Sequence, residues 1–268
     1  MKYFFFFFSF SVFSSSNSSY AQKKTVTLDY FFNNEYKKNA DSIKVRFHYI
    51  WEDKSINGFS IWGDIFKSKG VKLKSLTVAP TAAGLKGTDI YIITDPDNSK
   101  ESPTPNYMNA DYVKVISNWV KQGGVLVMMT NDSANNELPH FNLLAEAFGI
   151  HFTDKVRNSV LKDISVGRIV VPEHHEIFST AKVLYLKGIS TISIKDPARS
   201  ILEDKNDIIM ATAKYGKGSV FAIGDPWIYN EYIVNDRLNA EYQNGIAAKE
   251  FTEWLIKQIP KKKLEKIR

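Results

Sequence analysis

The stretch that most constrains the fold is Lys217-Gly218-Ser219-Val220-Phe221-Ala222-Ile223-Gly224-Asp225-Pro226-Trp227-Ile228-Tyr229-Asn230. A turn carrying Gly216 and Gly218 opens an apolar run of strand-forming residues, which breaks at Gly224 into polar and aromatic groups. A buried strand that ends in a Gly-Asp-Pro turn delivers side chains to the carboxyl edge of a sheet. In open α/β folds that edge is where ligands sit. The rest of the chain is therefore read for other strands that reach the same edge.

In order, Thr25 to Leu28 alternates polar and apolar residues and predicts an edge strand, and Lys44 to Ile50 predicts a firmer one. Phe59 to Phe66 carries apolar groups at helical spacing and stops near Gly70. Strands follow at Val71 to Val78 and Asp89 to Thr94, the latter ended by Asp95-Pro96-Asp97-Asn98. Tyr112, Val113, Ile116, Trp119 and Val120 mark one face of a helix, with Asp111 expected as N-cap and Gly123 as the helix-ending residue. Val125 to Met129 is a further apolar strand ending in Thr130-Asn131-Asp132, and His140 to Phe148 a short helix. Near-continuous apolar strands alternating with helices argue for a parallel sheet covered on both faces. From Val160 the pattern shifts to short strands at 168–171, 183–186, 189–194 and 208–214, an antiparallel extension that leads into Ser219 to Ile223. A long helix closes the chain, with Ile246, Ala247, Phe251, Trp254, Leu255 and Ile259 on its apolar face and Pro260 as its stop. No linker or internal repeat interrupts residues 22–268, which read as a single α/β domain.

Residues 1–21 read as an export signal: Lys2, a short phenylalanine-rich core, then Ser19-Tyr20-Ala21 as a small-x-small cleavage pattern. The core is too short to span a bilayer, so export to a periplasm without a membrane anchor is expected. The chain has no cysteine, which removes lipid-modified signals, disulfide frameworks, thiolate metal sites and cysteine nucleophiles. The formal charge of +6 gathers partly in Lys261-Lys262-Lys263, a solvated tail. No basic face interleaved with aromatics is present, so nucleic acid is not an expected partner. An anionic small substrate suits the mild basic excess.

If the strands run as assigned, four clusters meet at one edge. The first brings His48, Tyr49 and Trp51; the second Asp95 and Asp97; the third Asn131 and Asp132, with His140 opening the next helix; the last Asp225, Trp227, Tyr229 and Asn230. Asp95-Pro96-Asp97 and Asn131-Asp132 serve equally well as ordinary turn formers. His48 in a strand pattern is more often a hydrogen-bonded core histidine than a catalytic one. His174 and His175, adjacent on an extended segment, point to opposite faces and do not share an ion, so no metal is expected. Dinucleotide and phosphate-loop glycine motifs and the Gly-x-Ser-x-Gly elbow are absent, and no cofactor is expected.

The strand and helix order resembles the class I glutamine amidotransferase-like (flavodoxin-like) fold, a mostly parallel sheet with helices on both faces. There a nucleophilic cysteine follows a central strand; here that strand end reads Met129-Thr130-Asn131-Asp132, so thioester chemistry is excluded. Four segments together are Arg46 to Asp53, Ile92 to Asp97, Trp119 to Leu126 and Gly224 to Tyr232. They resemble exported Bacteroidetes proteins of polysaccharide utilisation whose amidotransferase-like domain occurs alone or fused to unsaturated glucuronyl hydrolases. The resemblance implies removal of water from the terminal uronic acid of ulvan-type, sulfated rhamnose-containing oligosaccharides. The 4,5-unsaturated product would pass to glucuronyl hydrolases, with sulfatases as further pathway partners. It implies no catalytic residues.

The chemistry itself asks for a base at C5, an acid at the C4 hydroxyl and groups that neutralise the carboxylate. His48 and His140 are the expected proton-transfer pair, with Tyr229 as a further acid or base. Arg46 and Asn131 are expected on the carboxylate, Trp51 and Trp227 stacked on the sugar, and Asp95, Asp225 and Asn230 as binding groups. A non-catalytic sugar-binding module assisting a glucuronyl hydrolase, and a hydrolase using Asp95 and Asp225, are the rival readings.

Overall fold

Unbroken apolar runs need cover on both faces, and they become the interior of one sheet. The computed structural model describes residues 23–234 and 238–261; the expected export signal and Lys262-Lys263 lie outside them. The first strands are β1 (Thr25–Asp29), β2 (Tyr36–Lys38), β3 (Lys44–Arg46), β4 (Lys72–Leu76), β5 (Ile90–Thr94) and β6 (Val125–Met129). The later ones are β7 (Ile150–Arg157), β8 (Arg168–Val170), β9 (Val183–Tyr185), β10 (Ile189–Ile194), β11 (Ala198–Asp204), β12 (Asp207–Tyr215) and β13 (Gly218–Ile223). The helices are α1 (Ser60–Ser68), α2 (Ala110–Lys121), α3 (Leu138–Glu146), α4 (Asn230–Ile233) and α5 (Asn244–Gln258).

The main sheet has nine strands in the order β4-β1-β5-β6-β13-β12-β10-β7, with β11 paired to β12. From β4 to β13 every pairing is parallel; from β13 onward every pairing is antiparallel. Every residue of β5, β6 and β13 is buried. One face packs on Trp62 and Phe66 of α1 and Phe251 and Leu255 of α5. The other packs on Ile116 and Val120 of α2 and Phe141 and Leu144 of α3. The chain is thus an α/β protein with a mostly parallel central sheet, helices on both faces and an antiparallel extension.

Several expectations change. β1 is not an edge strand: it lies between β4 and β5 and is buried from Val26 to Asp29, because Thr27 hides its hydroxyl in a hydrogen bond with Thr88. The strand expected over 44–50 ends at Arg46 and pairs only with β2, in a separate hairpin. His48 and Tyr49 take φ of 69° and 52°, which no strand accommodates. Asn109, not Asp111, caps α2; its side chain accepts from the Asp111 and Tyr112 amides. α3 starts before His140, with Glu137 as its cap. β7 and β11 carry too many exposed polar residues to stand out as apolar runs.

Candidate functional site

The parallel strands end on one side of the sheet, and their tips line a polar cavity of about 470 Å³. β6 supplies Asn131 and Asp132, β13 supplies Asp225 and Pro226, and α4 follows Tyr229. Lys187 and Gly188 come from the β9–β10 connection, and His48, Tyr49 and Asn57 from the loop after β3. Glycine at 224 brings the wall together. A Cβ there would sit 1.8 Å from the Ser190 carbonyl oxygen, so only glycine lets the end of β13 lie against β10. Ser190 Oγ in turn donates to the Asn131 carbonyl at 2.6 Å and ties β10 to the tip of β6.

The His48 loop is held from two sides. Tyr30 Oη, just past β1, accepts from the Trp51 amide at 2.7 Å and donates to Glu52. Asn230 donates to the Asp53 and Ser55 carbonyls and to Ser60 Oγ, and accepts from the Ile61 amide. His48 stacks on Tyr49 at 3.9 Å, and its Nδ1 lies 2.6 Å from Glu35 Oε1. Glu35, His48 and Asp95 each offer one donor atom, and these lie within 4.8 Å of one another. The sequence showed no such cluster, because its members are separated by long chain segments. Asp95 joins His48 and Tyr49 in left-handed backbone geometry, at φ 48°. Non-glycine residues held there store strain, which native structures concentrate at functional positions.

Burial sets the protonation states. Asp225 is 2 % exposed, and burial pushes its pKa up to about 7, although the Lys187 amide donates to Oδ2 at 2.7 Å and the Lys187 charge also opposes the rise. Burial pushes Glu101, also on the cavity wall, up to about 7. Asp95 is driven well above the carboxylate range, by burial first and then by Glu101, Glu35 and Asp97. Tyr229 is raised by burial and by Tyr49 and Asp225, so its phenol keeps its proton. Its ring lies 5.6 Å from Tyr49 and 4.6 Å from Tyr232, and Tyr232 continues at 4.7 Å to Tyr185.

Of the residues expected at the site, His48, Asn131, Asp225 and Tyr229 line one cavity. His140 does not. It sits half-exposed on α3, stacked on Tyr107 at 4.6 Å with Nδ1 on Glu137, so the two-histidine pair is not assembled. Trp227 is 0 % exposed and packs on Phe178 and Phe251, while Trp51 is a core residue donating to the Lys74 carbonyl; neither offers a face to a sugar. Arg46 spends its guanidinium on the Tyr30 and Asn33 carbonyls and Tyr36 Oη. Asn230 clamps the 53–61 segment instead of facing the cavity, and Asp95 lies behind His48. Sequence reading missed Glu35 and Lys187. Glu35 lies in the polar stretch Asn33-Asn34-Glu35, and Lys187 directly follows the apolar run Val183 to Leu186, so the break at Lys187-Gly188 was a signal of the same kind as the other strand ends.

Among the described residues, no helix is long and apolar enough to cross a membrane. The family model described as "Domain of unknown function (DUF4350)" matches residues 52–243. No curated protein matches. Among solved structures, the mmIFT52 N-terminal domain is similar at TM-score 0.63 and 18 % identity, covering 87 % of this chain and 97 % of that one. Cytoplasmic protein STM3548 from Salmonella typhimurium is similar at TM-score 0.56 and 16 % identity, over 89 % and 100 % of the two chains. A beta-galactosidase from Rahnella sp. R3 is similar at 0.55 and 14 %, over 90 % of this chain but 32 % of that enzyme. At these identities the likeness is one of fold.

Proposed function

We propose that this chain, which belongs to the DUF4350 family, is an exported carbohydrate dehydratase on an amidotransferase-like α/β fold. Its substrate on this reading is the uronic acid at the non-reducing end of an ulvan-type oligosaccharide. Loss of the C5 proton and of the C4 hydroxyl as water gives a 4,5-unsaturated uronic acid, the substrate class of unsaturated glucuronyl hydrolases. Sulfatases are the further partners of such a pathway.

The observation that carries the reading is the pairing, on one cavity wall, of a carboxyl poised near 7 with a phenol held protonated. A base works best when its pKa lies near the working pH, and Asp225 meets that condition. Tyr229 then gives its proton to the departing hydroxyl and is reprotonated through Tyr232, with which it shares a side-chain hydrogen bond. Lys187 and His48 face the substrate carboxylate, where negative charge grows as the C5 proton leaves. With His140 outside the cavity, this assignment replaces the pair of histidines.

The test is incubation of residues 22–268 with saturated, uronate-terminated oligosaccharides, followed by ultraviolet absorbance and mass. The expected result is a new enol-ether band and the loss of one water per chain end. Tyr229→Phe should lower kcat by about 10²–10⁴ while the folded spectrum is kept. Unchanged substrate mass with saturable binding would favour the accessory sugar-binding module instead. Shorter products with water gained would make the protein a hydrolase.

A further inference from the structure

The wall of the cavity is acidic: Glu101, Asp132, Asp225 and Glu231 face Lys187 and His48. Behind His48 the imbalance deepens. Glu35, Asp95 and Asp97 are 8 %, 1 % and 1 % exposed. Buried carboxylates in such company need protons or a cation. The polar groups beside them are left open. Asn136 donates through Nδ2 to Asp95 Oδ1, and the Oδ1 of that same amide is buried without a partner among the described residues. Asp97 Oδ1 and both polar side-chain atoms of Asn33 are likewise buried and unpartnered. Asn33, Asp97 and Asn136 are each at most 3 % exposed. Native proteins rarely leave such atoms unsatisfied unless an ion or water completes them.

We infer that Glu35, His48 and Asp95 bind a divalent cation, with Asn136 orienting Asp95. The donor set is two carboxylates and an imidazole within 4.8 Å, a mixture of oxygen and nitrogen that suits Zn²⁺ or Mn²⁺. Two carboxylates balance the charge of the ion, and three protein ligands leave positions open toward the cavity that His48 lines. His48 and Asp95, both in left-handed backbone geometry, each contribute an atom to this cluster, and strain of that kind gathers at functional positions. The use of the ion rests on the dehydratase reading: it would meet the uronate carboxylate and offset the acidic wall. The binding itself does not.

The experiment titrates chelator-treated, dialysed protein with Mn²⁺, following free Mn²⁺ by electron paramagnetic resonance, and with Zn²⁺ by calorimetry, both without sugar. One ion per chain is expected, with a rise in Tm that grows with metal concentration. Glu35→Gln and Asp95→Asn, which keep side-chain shape, should each weaken binding by about tenfold or more. Asp154→Asn, at an exposed position of β7 outside the cavity lining, should bind as the parent does. If Asp95→Asn does not fold, Glu35→Gln alone decides. Absence of saturable binding of either ion overturns the inference, as does parental affinity in the variants tested. Because no sugar is present, a failed dehydration assay leaves a positive result here standing, and a failed titration leaves the dehydratase reading standing.

Discussion

Asp225 shows how one side chain can serve a site at the expense of the fold. Its folded pKa of about 7 lies above the ordinary 3.8, so the folded state binds a proton that the unfolded chain has lost. The stability this gives is full below about pH 4 and is lost as pH rises through 7. Asp225→Asn removes the dependence while keeping an oxygen for the Lys187 amide. At pH 8 the variant should be more stable by about 2–4 kcal/mol, with no gain at pH 4, in denaturant titrations at the two pH values. Turnover should fall by about 10²-fold or more. Equal stability of both proteins at pH 8 would mean the carboxyl is better solvated than its burial implies. At this scale the sequence gathered His48, Asn131, Asp225 and Tyr229 toward one sheet edge, and the structure sets all four around one cavity, although His48 arrives on a loop after the β2–β3 hairpin and not on a strand of the main sheet. It misjudged Trp51, Trp227 and Asn230, since an aromatic or amide beside a polar turn looks the same whether the chain next dives into the core or out to solvent.

Among the elements, the loop from His48 to Phe59 matters most, and it is shaped by contacts distant in sequence. Asn230, at the start of α4, makes bonds to residues 53, 55, 60 and 61 that no local pattern announces. Asn230→Ala leaves those part-buried backbone groups without their side-chain partner. The expected loss is about 1–3 kcal/mol in chemical denaturation, with faster proteolysis confined to the 47–59 segment. A loss spread evenly over the whole chain would speak against a local clamp. The central strands, by contrast, were readable from apolar runs alone, and α1, α2 and α5 from helical spacing. β7 and β11 were not, because an edge position exposes half of their side chains and dilutes the pattern.

For the molecule as a whole, stability is graded from the middle of the sheet outward. β5, β6 and β13 are wholly buried and pair in parallel with each other, while β2 is wholly exposed and pairs only with β3. Amides of Ile92, Val127 and Phe221 should exchange with deuterium only through global unfolding. Those of Lys37 and Val45 should exchange at least about 100-fold faster, as expected of a small hairpin outside the core. Uniform protection would show the β2–β3 hairpin to be bound into the same cooperative unit. The order of apolar runs, breaks and helical faces was enough to specify an α/β sheet and its polar carboxyl edge, since burial and periodicity are local properties of the chain. The meeting of Glu35 with His48 and Asp95, the exclusion of His140 and the arrival of Lys187 depend on which loops the closed sheet brings together. Those contacts join residues far apart in sequence, where no short-range pattern carries the information.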